Sequence, residues 1–257
     1  MNVYSRLTPA RLHVMKPRIK YEITNIQHPN YTNLFRIKAL RDIPRFNVKK
    51  GDLGGYVQYE RNLSQEGECW ITDNGCVYDN GHVTDDARVS SNARVFGFSR
   101  ICDDAWVFGE ACIYDNAHIY GAAWIGASAA VFGKAQVYGN ARVFGETHIF
   151  DQARVFGNAK VGLASRVFGN AKVFDEAGVY HARVSGNSHV HGRALVYCGI
   201  DINDYMELSG DSYFELTTQI YYSDGVTAFI DRGGKLIVNG DYPDIEHHKT
   251  LAKLRLL

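Results

Sequence analysis

An all-β, single-stranded parallel β-helix is the fold this sequence predicts, and three observations predict it. From Ile71 to Val179 every sixth residue is Val or Ile, nineteen in succession. Two residues before each stands a small residue: Ala in thirteen cases, and Gly, Ser, Thr or Cys in the others. Two residues after each comes mostly Gly or Asp, types that tolerate sharp and left-handed backbone. Each hexad therefore reads as a short strand plus a turn. Side chains alternate along a strand, so the Val/Ile and the small residue two earlier point inward together. The residues on either side of the Val/Ile point out. Three hexads make a triangular coil of 18 residues, and coils stack at about 4.8 Å. Such a bore is packed, which leaves function to the outer faces and the ends.

The chain divides into three parts. Residues 1–50 hold four of the five prolines and lack the six-residue beat. Lys20-Tyr21-Glu22-Ile23 and Leu34-Phe35-Arg36-Ile37 read as strands around the turn-prone His28-Pro29-Asn30, a β-rich cap for the first coil. Residues 51–199 are the β-helix, about seven coils. Val57 and Leu63 already stand six apart, and a two-residue slip at Gln65-Glu66-Gly67 precedes the regular beat. After Val179 the spacing shortens once, to Val184, then resumes at Val190 and Val196 and ends near Cys198-Gly199. Residues 200–257 read as a small β-meander plus helix. Its strands are Ser212–Leu216, Gln219–Tyr222, Val226–Asp231 and Lys235–Val238, with turns at Ser223-Asp224-Gly225 and Arg232-Gly233-Gly234. Pro243 opens a helix with Leu251, Leu254 and Leu257 on one face.

Handedness does not follow from the period. The entry segment Gly54-Gly55-Tyr56-Val57, followed by Leu63-Ser64-Gln65-Glu66-Gly67-Glu68-Cys69-Trp70-Ile71, resembles the start of the YdcK-like bacterial and phage proteins. Those are left-handed β-helices to which a transferase label is often attached. The resemblance covers about residues 50–180 and implies the left hand. It also implies phage or prophage origin, with a host-interaction or counter-defence role. It carries over no catalytic residue.

Composition sets further bounds. With 28 basic and 28 acidic side chains the chain is neutral, which argues against nucleic acid or an anionic membrane as partner. No apolar run approaches the roughly 18 residues that span a bilayer, and the N-terminus lacks a signal-peptide core, so a soluble, cytoplasmic protein is expected (host cytoplasm if phage-encoded). The five cysteines show no C-x-x-C spacing and read as reduced, structural thiols.

Indexed by eighteen, the outward positions form columns. On one face the residue after the Val/Ile runs Tyr78, Phe96, Tyr114, Phe132, Phe150, Phe168, an unbroken aromatic ladder and the expected interface. A second face carries Thr84, Cys102, Tyr120, Tyr138, Phe156, Phe174. On the third, the residue before the Val/Ile runs Trp70, Arg88, Trp106, Trp124, Arg142, Lys160, an alternative stripe for a polyanion or carbohydrate. None of the nineteen residues preceding a Val/Ile is acidic, and the frequent glycines are read as corners.

The expected function is a non-catalytic scaffold that self-associates, a trimer by analogy with left-handed β-helices, and binds a macromolecular partner through aromatic-basic faces. The alternative is an acyltransferase using acetyl-coenzyme A, with His118 or His148 as base. His82 and His118 sit two coils apart with Arg100 between them, too far to share a metal. His189 and His191 flank Val190 without an identifiable third ligand. No phosphate-binding loop, nucleophile elbow or dinucleotide fingerprint occurs, so neither metal nor cofactor is expected.

Overall fold

The computed structural model describes residues 19–197, 199–211, 213–214, 227–230 and 236–239. It is a nearly all-β parallel solenoid of about eight coils, consistent with a left-handed β-helix. The first face starts at Leu53–Val57 and Cys76–Val77, the second at His82–Val83, the third at Trp70–Ile71. Pairing within each face is in register at eighteen residues, as in Trp106 with Trp124 and Val107 with Ile125. All nineteen Val/Ile of the beat are buried, and so are the alanines two residues before them. The small polar residues at that inner position are satisfied locally: Ser99, Thr147 and Ser165 each donate to the carbonyl three residues back.

What turns the chain at each corner is a left-handed residue, and at Leu163-Ala164 a pair of them. The second residue after each inward Val/Ile has positive φ: Asp at Asp73, Asp79, Asp85, Asp103, Asp115, Asp151 and Asp175, and Gly at such corners as Gly97, Gly121 and Gly157. Asp does more than tolerate the conformation. The Asp103 carboxylate accepts the Gly121 N–H of the next coil at 2.8 Å, and Asp73, Asp115, Asp151 and Asp175 accept equivalent bonds at 3.1 Å. The turned amide, which cannot join the regular ladder, is thereby satisfied.

The N-terminal residues cap the first coil. Tyr21–Gln27 pairs antiparallel with Phe35–Ala39, which pairs antiparallel with Leu53–Val57, so the cap continues the first-face sheet. Trp70 is 1% exposed beneath it. Lys20 is fully buried, its ammonium donating to the Glu66 carbonyl at 3.0 Å and lying 3.0 Å from Cys69 Sγ.

The stacking runs past Gly199, where the sequence reading had ended it. Asp201–Ile202, Glu207–Leu208 and Tyr213–Phe214 add one strand to each face, which raises about seven coils to about eight. These rungs keep the six-residue step, but the inner position two before Ile202 and Leu208 holds Ile200 and Met206 instead of Ala, and both are buried. The five-residue step from Val179 to Val184 only shortens one corner, at His181: Val167 still pairs with Val184 and Val179 with Val196. Farther on, Thr227–Ile230 pairs antiparallel with Leu236–Asn239, the hairpin expected around Arg232-Gly233-Gly234. The expected strand Gln219–Tyr222, the turn at Ser223-Asp224-Gly225 and the helix after Pro243 bearing Leu251, Leu254 and Leu257 lie outside the described residues. No described helix is long and apolar enough to cross a membrane.

The corner rule makes two substitutions move stability in opposite directions. Leu163 is left-handed (φ 54°) and exposed, so Leu163→Gly removes backbone strain and should raise the melting temperature by a few degrees, about 1 kcal/mol. At Gly121 a Cβ would meet the Gly139 amide nitrogen at 2.8 Å, so Gly121→Ala should lower it by more than that. Thermal melts followed by circular dichroism check both.

Candidate functional site

Alternation places every second side chain outside the bore, and the 18-residue register aligns those side chains into columns. On the first face Tyr78, Phe96, Tyr114, Phe132, Phe150 and Phe168 stack with centroids 4.8–5.1 Å apart and planes within 9° of parallel. Each ring is half-buried, since its neighbours cover both faces and its edge looks outward. Tyr31 of the cap continues the stack beyond Tyr78 at 6.2 Å, and the cap loop overhangs a groove of about 400 Å³ lined by His28, Tyr31, Cys76 and Arg94. The ladder is therefore covered at its N-terminal end and open along its side.

On the second face Tyr120, Tyr138, Phe156 and Phe174 stack at 4.6–4.9 Å, and His191 lies parallel on Phe174 at 4.7 Å as the next member. Glu207 lies 2.8 Å from His191 Nε2 and Asp175 lies 3.7 Å from Nδ1, so this imidazole has acidic neighbours that spacing alone did not identify.

The third face is built differently. Its following column alternates Phe108, Gly126, Phe144, Gly162. These two glycines are not corners: a Cβ at Gly126 would lie 2.3 Å from Phe108 Cζ, and one at Gly162 would lie 2.3 Å from Phe144 Cε2. Each Phe ring lies flat across the glycine of the next coil, which levels the face. In the preceding column Trp70 is withdrawn under the cap, so the open stripe begins at Arg88. Arg88 stands 5.2 Å from the Trp106 ring, Trp106 meets Trp124 edge-on at 5.2 Å, and Arg142 lies 5.1 Å over Trp124, which is 41% exposed. Lys160 is the next member and is exposed.

The two candidate bases do not sit together. His148 on the first face packs edge-on to Phe132 at 6.4 Å. His118 on the second face leans on Tyr120 at 4.6 Å and brings Nε2 to 3.4 Å from Cys102 Sγ. A diagonal of sixteen residues recurs here: an outward residue before the Val/Ile reaches the residue after the Val/Ile one coil below. Trp106 Nε1 donates to Ser90 Oγ along the same diagonal. Sequence columns at eighteen miss these pairs, although counting at sixteen finds them.

Burial lowers the pKa of His82 and of His118, and Arg100 between them lowers both further. The unfolded chain binds these protons near the ordinary value of 6.5 while the folded chain resists them, so stability is whole above about pH 6.5 and falls as pH drops below it. Melting temperature should therefore decline from about pH 7 to about pH 5, and His82→Gln with His118→Gln should flatten the decline. An unchanged slope would refute the assignment.

Comparison with known proteins bears on the repeat. The YdcK beta solenoid repeat model matches residues 135–150. No curated protein matches. Among solved structures, the chain is similar to an Arabidopsis UDP-N-acetylglucosamine acyltransferase at 10% identity and a TM-score of 0.30, over 62% of this chain and 71% of that one. A superposition at that level carries no argument about activity. The matched segment, Ala135 to Phe150, spans three inward residues and contains the Arg142-Val143-Phe144-Gly145 unit that typifies the whole beat. The chain is thus a β-solenoid in which residues 135–150 are similar to the YdcK beta solenoid repeat.

Proposed function

We propose that this protein is a non-catalytic assembly scaffold that self-associates through its first face and holds a macromolecular partner on its remaining aromatic-basic surface. The observation that carries this is the first-face ladder. Six rings, four Phe and two Tyr, present one ribbed aromatic edge over five coil steps, roughly 24 Å at ~4.8 Å each. A stripe of that length and flatness is complementary to another flat solenoid face, and it is far longer than a small ligand. Arg94, His148 and Arg166 flank it in the adjoining column. A homotrimer is the proposed assembly. The phage-borne host-interaction or counter-defence role rests on the resemblance alone.

The acyltransferase alternative needs His118 or His148 as base. The contacts observed, a thiol at His118 and a phenyl edge at His148, favour the scaffold.

Light scattering during gel filtration tests the proposal. The wild type should run as an oligomer, and Phe96→Ser with Phe132→Ser and Phe150→Ser should run as a folded monomer, since these rings lie outside the bore. A wild type that stays monomeric at high concentration overturns the self-association reading.

The third face supports a second reading, a polyanion or carbohydrate stacked along Trp124. Its specific observation is an exposed indole with Arg142 over it and Lys160 beyond, on a face whose outward residues include no acid from Trp70 to Gly162. Trp124→Ala should abolish quenching of tryptophan fluorescence by oligosaccharide or single-stranded DNA. Steep salt dependence would indicate the polyanion, and salt independence the sugar.

A further inference from the structure

The second-face ladder stops short. Its ring column begins at Tyr120, and the two coils below carry Thr84 and Cys102 in that column, leaving a notch where two rings are missing. Into this notch turn the side chains of three consecutive coils. Ligand atoms of Asp85, Cys102 and Asp103 lie within 4.8 Å of one another, and His118 Nε2 reaches Cys102 Sγ at 3.4 Å. We infer that Asp85, Cys102 and Asp103, with His118 reaching the cluster through its contact with the thiol, form a binding site for a divalent transition metal of the zinc class.

Chemistry and geometry agree on that class. A thiolate and an imidazole select a borderline-soft ion over magnesium or calcium, and carboxylates can complete four-coordination. For a tetrahedral ion with metal–sulfur near 2.3 Å and metal–nitrogen near 2.0–2.1 Å, the sulfur–nitrogen edge is about 3.5 Å. The observed 3.4 Å already has that length, so this half of the site needs little movement. The carboxylates are held in place by their corner duties. Asp103 Oδ2 accepts the Gly121 N–H, and Asp85 Oδ2 accepts from Thr84 Oγ1 and the Asp103 N–H. These bonds hold each carboxylate at its corner beside the thiol.

Burial pushes the Cys102 thiol up to about 11, and the charges of Asp103 and Asp85 push the same way. A divalent ion reverses that balance: it neutralises the carboxylates, and the thiol gives its proton to solvent as the sulfur–metal bond forms. Nothing is oxidised or reduced, and one proton leaves per ion bound. Arg100, beside His118, opposes the cation, but its side chain is exposed and can turn out to solvent. The bound ion would staple three coils together near the capped end.

Cobalt(II) added to chelator-treated full-length protein is the test. The expected result is a thiolate-to-cobalt charge-transfer band that saturates at one equivalent, is bleached by zinc, and accompanies a rise in melting temperature. Cys102→Ser should remove the band, while His118→Gln or Asp103→Asn weakens apparent affinity at least about 10-fold. Because Cys102 lies outside the bore, the chelated Cys102→Ser variant should melt like the chelated wild type, which separates lost binding from lost folding. Absence of the band at millimolar cobalt, or its persistence in Cys102→Ser, overturns the site.

Discussion

A chain that must turn a triangular corner every six residues needs a left-handed residue at each corner, and the rest of this molecule follows from meeting that need. L-residues other than Asp and Asn enter that region at a cost of about 1–2 kcal/mol, whereas achiral Gly enters it freely, so Gly and Asp dominate the corners. Gly relieves the strain directly. Asp also supplies an acceptor for the amide that the turn orphans, as Asp103 does for Gly121. Corners so made are uniform, and uniform corners keep inward Val/Ile stacked on inward Val/Ile through the whole bore. Register in the bore in turn fixes the outer columns: Tyr78 lies over Phe96 because Val77 lies over Val95.

The outer surface thus inherits its order from the interior. A ring at one outward position is placed about 5 Å from the ring eighteen residues away, whatever its own energetic preference. The three faces still differ. The first is an unbroken ring stack, the second a stack that begins only at Tyr120, past Thr84 and Cys102, and the third a level platform in which Phe108 and Phe144 lie on Gly126 and Gly162. That division lets one simple scaffold present three distinct surfaces.

The bore, the corners and the eighteen-residue columns were legible in the sequence because each depends on a single period. What escaped depends on two coils at once or on a change of residue size. Trp70 reads as the first member of an open stripe, but the cap that buries it comes from Tyr21 and neighbouring residues about fifty positions earlier. The rungs at Ile202 and Leu208 keep the beat, yet Ile200 and Met206 replace the inner alanine by which a rung is recognised. Gly126 and Gly162 look like corner glycines until their column partners Phe108 and Phe144 are set beside them. The Cys102–His118 contact joins opposite flanks of adjacent coils, so it appears only at a spacing of sixteen. A corner carboxylate in the sequence also gives no hint that Asp85 and Asp103 meet a thiol.

The shortened coil after Val179 has a consequence for how such a protein can change in size. The step there is one residue short without rotating any face, because the corner at His181 absorbs the difference while Val179 keeps its place over Val196. Single-residue indels are therefore local accidents, and growth that preserves every surface comes only in whole coils. Each added coil would lengthen all three faces by one identical step, as the graduations lengthen a ruler. The reach of the molecule is thus a counted quantity, adjustable independently of what its surfaces recognise.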